Sequence, residues 1–140
     1  MNPIVRNGLA VLAGIVVGSV VNMALIYLGP LLIPPPEGAD VTSMEGLEAS
    51  IHLFEAKHFV FPFLAHALGT LVGALLAAWL AASRAGGMAL MVGLVFLVGG
   101  VLNAWMLPAP AWFEWLDVLF AYLPMALLGA WLAPRRASHD

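Results

Sequence analysis

The chain has 140 residues, 63% of them hydrophobic and 9% charged, with a mean hydropathy of +1.00. Soluble domains carry about a quarter charged residues, so this composition points to a lipid bilayer. A net charge of −3 offers no basic patch for nucleic acid, and the absence of cysteine excludes disulfides, thiolate metal sites, iron–sulfur clusters and cysteine nucleophiles.

A hydrocarbon core of about 30 Å takes roughly 20 apolar residues per helix, so the length holds four spans and little else. The expected fold is an all-α integral membrane protein, an antiparallel four-transmembrane-helix bundle forming one domain over residues 1–140. Arg6 precedes a long apolar run that outlasts the roughly 7–15 residues of a signal-peptide core and shows no small-x-small cleavage site. It reads as a retained first span over 4–33. That is longer than a bilayer requires, so the helix tilts or stops at Gly29–Pro30, and Pro34, Pro35 and Pro36 forbid its continuation. Gly14, Gly18 and Asn22 recur at i+4 and give a small-residue face for a close neighbour, on which Asn22 needs a partner.

Thr42 with Glu45 three residues later is a capping-box pattern, opening an amphipathic helix over 43–56. At about 100° per residue, Met44, Leu47, Ile51 and Phe54 share one arc, and Glu45, Glu48, His52 and Glu55 share the adjacent one. Too short to span, this helix is expected on the extracytoplasmic membrane surface with its apolar stripe down.

The second span is expected over 59–83, with Pro62 tolerated in its first turn. His66, Gly69, Thr70, Gly73 and Ala77 share a face that should meet protein rather than lipid. Arg84, Gly86 and Gly87 read as a tight turn into an antiparallel third span over 88–107. Pro108 and Pro110 close it, and Trp112, Phe113 and Trp115 suit the headgroup level. Asp117 is expected to open the fourth span, 117–133, with Pro124 as a kink and Pro134 as its end.

Four spans put Arg6, Arg84, Arg135 and Arg136 on one side and Lys57 on the other. By the positive-inside rule the arginine side, with both termini, is cytoplasmic, as in a bacterial inner membrane. Seven of the eight acidic residues then lie outside.

Asn22, His66, Asn103 and Tyr122 come from four different helices, yet all fall in the outer half of their spans at about 1.5 Å rise per residue. With Thr70 they form a candidate polar pocket. His66 serves either as glue, bonded to Asn22 or Asn103, or as an axial ligand to haem or a chlorophyll lying against Gly69 and Gly73. Asp117 either pairs with a histidine for acid–base work or serves the fourth helix as an N-terminal anion. Tyr122 and Asp117 lie about 140° apart on an ideal helix, so both reach one pocket only with help from the Pro124 kink.

A second candidate is Glu48, His52, Glu55 and His58, whose nitrogen and oxygen ligands suit zinc, manganese or iron. Glu55-x-x-His58 matches half of a carboxylate-bridged di-iron site, whereas His52-x-x-Glu55-x-x-His58 misses both zincin spacings. Ser50 and His52, two apart, point to different sides of a helix and make a poor nucleophile–base pair.

The leading functional reading is a non-enzymatic binding or accessory subunit with a polar pocket in the outer half of the bundle. The alternatives are a metal-binding protein or metalloenzyme using the Glu/His set at the extracytoplasmic surface, a tetrapyrrole-binding subunit through His66, or an oligomeric transporter. Expected partners are the lipid bilayer and either further copies of the chain or another membrane protein.

Overall fold

A computed structural model describes residues 1–134; Arg135 and Arg136, used above to orient the chain, lie outside the described residues. The described residues are helical with no strand, in the order α1 (Pro3–Leu32), α2 (Met44–Ser50), two 3-10 turns (Ile51–Leu53 and Ala56–Phe59), α3 (Val60–Leu80), α4 (Ala85–Met106), α5 (Ala111–Phe120) and α6 (Leu123–Leu132). Four stretches are long and apolar enough to cross a membrane: Pro3–Leu32, Ala56–Leu80, Ala85–Met106 and Ala111–Leu132. Leu12, Val20, Leu94, Val98, Leu119 and Trp131 are among the large apolar side chains they expose, a surface that suits lipid rather than water.

Helix α3 sits at the centre, packed against α1, α4 and α6. Its contact with α1 is made backbone to backbone. Gly14 lies against Gly73 and Gly18 against Gly69, so close that a Cβ added at Gly18 would stand 2.6 Å from the Gly69 carbonyl oxygen. The expected small-residue faces therefore meet each other, and dispersion between closely approaching backbones replaces the large side chains of a soluble core. The core continues in the same vein, with Ala74, Ala77, Ala89, Val92 and Ala126 all fully buried.

At the arginine end, the Arg6 guanidinium donates from Nε to the Leu80 carbonyl at 2.9 Å, capping a free carbonyl of α3. The Asn7 Oδ1 accepts from the Ala82 and Ser83 amides at 2.8 and 3.3 Å. These bonds shape the α3–α4 turn, and the expected glycine turn is displaced by them. Arg84 takes the left-handed conformation, at φ 50°, and Gly86 and Gly87 already lie in the first turn of α4.

At the opposite end, here called the cap end, the expected helix over 43–56 is interrupted. Ser43 rather than Thr42 is the N-cap, accepting from the Gly46 amide at 3.0 Å. Thr42 is instead engaged by Asp40, whose Oδ1 accepts from the Thr42 amide at 2.9 Å and its hydroxyl at 2.6 Å. Helix α2 stops at Ser50, a 3-10 turn follows, and Phe54 and Glu55 are extended. The reason is local: Glu55 and His58 form a reciprocal capping box in which the Glu55 side chain accepts from the His58 amide and the Glu55 amide donates to His58 Nδ1 at 2.8 Å. That box starts the next span and forces the chain out of helix before it.

The last span also differs from expectation. It begins at Ala111, six residues ahead of Asp117, and it is broken rather than kinked: α5 ends at Phe120, Tyr122 takes φ −117° and ψ −81°, and Pro124 sits in the first turn of α6. A proline there has no helical partner to lose, so the break falls ahead of it and not at it.

A candidate ligand cavity with an ionisable floor

The break in the fourth span settles the geometry that an ideal helix forbids. With the chain turned at Ala121 and Tyr122, the Tyr122 hydroxyl donates to Asp117 Oδ2 at 2.8 Å. The same carboxylate meets His66 of α3, whose Nδ1 lies 2.8 Å from Oδ1 and 2.9 Å from Oδ2. Asp117 is only 5% exposed and Tyr122 1%. A carboxylate with two acceptor oxygens faces two donors, so the network balances with the proton on His66 Nδ1 and a second bond from Tyr122. The His66 and Tyr122 rings are stacked, their centroids 5.8 Å apart. Gly100 of α4 makes room for Tyr122: a Cβ there would collide with the phenol ring and hydroxyl.

His66 therefore takes neither of the partners expected for glue; its partner is Asp117. Thr70 is fully buried and its hydroxyl donates to the His66 carbonyl at 2.8 Å, which anchors the turn of α3 that carries His66 without lining a cavity. Asn22 and Asn103 do approach His66. With Tyr122, Phe96, Gly99 and Gly100 the three line a chamber of about 230 Å³. The Asn22 Oδ1 itself is buried and, among the described residues, has no hydrogen-bond partner.

Asn22, His66, Gly100 and Asn103 also line a much larger cavity of about 680 Å³ that extends toward the cap end. Its walls are one face of α1 (Met23, Ile26, Tyr27, Pro30) and one face of α4 (Gly100, Asn103, Ala104, Leu107), with Phe61, Pro62 and His66 of α3 behind and Phe113, Asp117 and Val118 of α5 opposite. Its roof is the apolar stripe read from the sequence: Met44, Leu47, Ile51 and Phe54 all line it, while Glu45, Glu48, His52 and Glu55 are exposed. A volume of this size, apolar walls and a few converging polar groups are the usual make-up of a small-molecule site.

The Glu/His set does not assemble. The continuous helix that would align Glu48, His52 and Glu55 ends at Ser50, and Glu55 and His58 are spent on capping each other. Among the described residues, no three His, Asp or Glu side chains gather as a metal ion requires. Ser50 is tied to the Asp40 amide at 2.9 Å. Nor can a macrocycle lie on Gly69 and Gly73, because Gly18 and Gly14 of α1 already cover them.

Asp117 is the residue whose role the sequence did not resolve. The signal was there: a carboxylate within the apolar run from Trp112 to Phe120 must find a partner or stay at the water boundary. What hid the pairing was the start of the helix, since taking Asp117 as its first residue supplies a sufficient alternative role.

Comparison with protein-family models, with curated proteins and with solved structures gives no match.

Proposed function

We propose that this chain is a non-enzymatic membrane-embedded binding subunit that holds an apolar small molecule in the cavity beneath α2, with its polar end toward His66, Asn22 and Asn103. In this reading the four long helices form an antiparallel four-helix bundle across a bacterial inner membrane. Both termini are cytoplasmic and the cap end is extracytoplasmic. Arg6 and Arg84 at one end, against Lys57 alone at the other among the described residues, support that orientation.

The observation that carries the reading is the cavity itself, about 680 Å³ with mostly aliphatic and aromatic walls and an ionisable cluster at its floor. Helices α1 and α3 stay in close contact from Gly14 to Gly29, which packs on Phe61, and the cavity lies beside that contact, between α1 and α4.

The test is extraction into lipid nanodiscs without detergent, followed by mass spectrometry of the intact particle and of its small-molecule content. A stoichiometric co-purifying molecule is expected, and Ala104→Trp, which fills the wall of α4, should displace it while leaving the helical circular dichroism unchanged. A folded Ala104→Trp protein with the same small-molecule content would remove this reading.

A further inference from the structure

We infer that the molecule held in the cavity is a long-chain lipid alcohol whose hydroxyl donates a hydrogen bond to Nε2 of His66. This rests on the cavity being a binding site, and it concerns what the floor of that site recognises.

The argument is one of donors and acceptors. Asp117 accepts from His66 Nδ1 and from the Tyr122 hydroxyl, so both its oxygens are engaged. An imidazole that donates through Nδ1 presents a lone pair at Nε2. Among the described residues no group bonds Nε2, on a ring that lines both the large cavity and the smaller chamber. An acceptor lacking a donor at the end of an apolar cavity calls for a ligand that brings a proton.

The remaining head groups fit less well. Among the described residues no Lys or Arg lines either chamber, so a phosphate or carboxylate head would be buried without a counter-charge from them. A ketone or ester could accept from the Asn22 or Asn103 amide but brings no donor for Nε2. A neutral hydroxyl supplies one donor and can accept in turn from an Asn103 or Asn22 amide.

The walls indicate what is attached to that hydroxyl. The lining faces of α1 and α4 converge on Phe96, which packs near Gly18, and stand apart from Asn22 and Gly100 toward the cap end. Met23, Tyr27 and Asn103 are lining residues that are also exposed, so the cavity is open at the side between these two helices. Both helices are apolar there, so the opening faces acyl chains. A flexible alkyl chain fits this path: it enters sideways from the bilayer and leaves its hydroxyl at the floor.

The experiment uses the full chain in nanodiscs and a long-chain alcohol carrying a diazirine on its tail. Saturable cross-linking to the walls, mapped by peptide mass spectrometry, is competed with 1-dodecanol and with dodecyl methyl ether. The alcohol should compete about tenfold better than the ether, one good hydrogen bond plus the relief of an orphaned acceptor. In His66→Phe that ratio should fall to near one. Equal competition by alcohol and ether in the unmodified protein overturns the inference while leaving the cavity as a site for apolar chains. Labelling that is not saturable at the walls removes the binding reading itself. The alcohol-to-ether ratio is measured on the unmodified protein, so a poorly folded variant does not decide the matter.

Discussion

Removing His66 tests how the buried cluster is held. In His66→Leu the Asp117 carboxylate keeps only the Tyr122 hydroxyl, in a place where 5% of the residue is exposed. Breaking a buried pair in soluble proteins costs about 3–5 kcal/mol, whereas interhelical hydrogen bonds in membranes average about 0.6 and reach about 1.7. The carboxylate left with a single donor places this cluster above the membrane average, and the Tyr122 bond that survives keeps it below the soluble figure. A loss of about 2–3 kcal/mol is expected. Asp117→Leu should cost as much, because it orphans both His66 Nδ1 and the Tyr122 hydroxyl. The double variant removes both partners and leaves only the phenol unpaired, so it should cost about 2 kcal/mol rather than the sum, a coupling of about 2–4 kcal/mol. Steric trapping in bicelles measures all four corners of the cycle. Additivity to within about 0.5 kcal/mol would refute the shared proton between α3 and α5.

Other expectations follow from separate parts of the fold. Gly18→Val brings a branched side chain against the Gly69 carbonyl and the Phe96 ring, neither of which can retreat without moving a helix. A loss of about 1–3 kcal/mol in the same assay is expected, while Gly8→Val, where a Cβ meets nothing, should be neutral. Gly100→Ala should push the Tyr122 ring off Asp117, read as a shifted tyrosine ultraviolet resonance Raman band, with no change in Tyr27. His58→Ala removes one half of the capping box at the head of the second span; amide exchange at Ala56–Val60 should quicken, corresponding to a loss of about 0.5–2 kcal/mol of local stability. At Asp40, bonds from the Thr42 hydroxyl and amide hold the carboxyl below the usual carboxylate range. A depressed carboxylate stabilises its turn above the unfolded value and loses that contribution as pH falls through the folded one. Thr42→Val should therefore move the Asp40 carbon-13 titration upward toward an ordinary aspartate, and an unchanged midpoint would assign the shift elsewhere.

The parts of this molecule that the sequence makes legible are those ruled by periodicity. Gly14 and Gly18 at i+4 announce a close helix–helix contact, and Gly69 and Gly73 announce its partner; the structure joins the two. The stripe Met44, Leu47, Ile51 and Phe54 likewise keeps a common direction although the helix that was to carry it ends at Ser50. The side chains still line one cavity because α2, the single 3-10 turn at Ile51–Leu53 and the extended Phe54 preserve their facing. Periodicity fails where a side chain competes with the helix for backbone groups. Glu55 and His58 look like metal ligands by type and spacing, and the same type and spacing let each bond the other's amide. Choosing between those uses needs the position of the next helix start, which is a long-range matter. Tyr122 and Asp117 fail for the converse reason: their angular separation is computed for a helix that does not exist between them. Pro124 is visible in the sequence, but whether a proline bends a helix or begins a new one depends on what the chain before it must reach, here a histidine on another span.

The roof over the cavity holds itself together by its own bonds. Asp40 to Thr42, Ser43 to Gly46 and the Asp40 amide to Ser50 all close within the segment, and among the described residues no hydrogen bond ties residues 34–53 to the spanning helices. Its seal on the cavity is therefore made by oily contact alone. Such a seal is driven by water's entropy near room temperature and loosens on cooling, the reverse of a hydrogen-bonded latch. Traffic between the cavity and the aqueous side should accordingly have an anomalously shallow temperature dependence, while passage between α1 and α4 keeps the steep one of lipid diffusion.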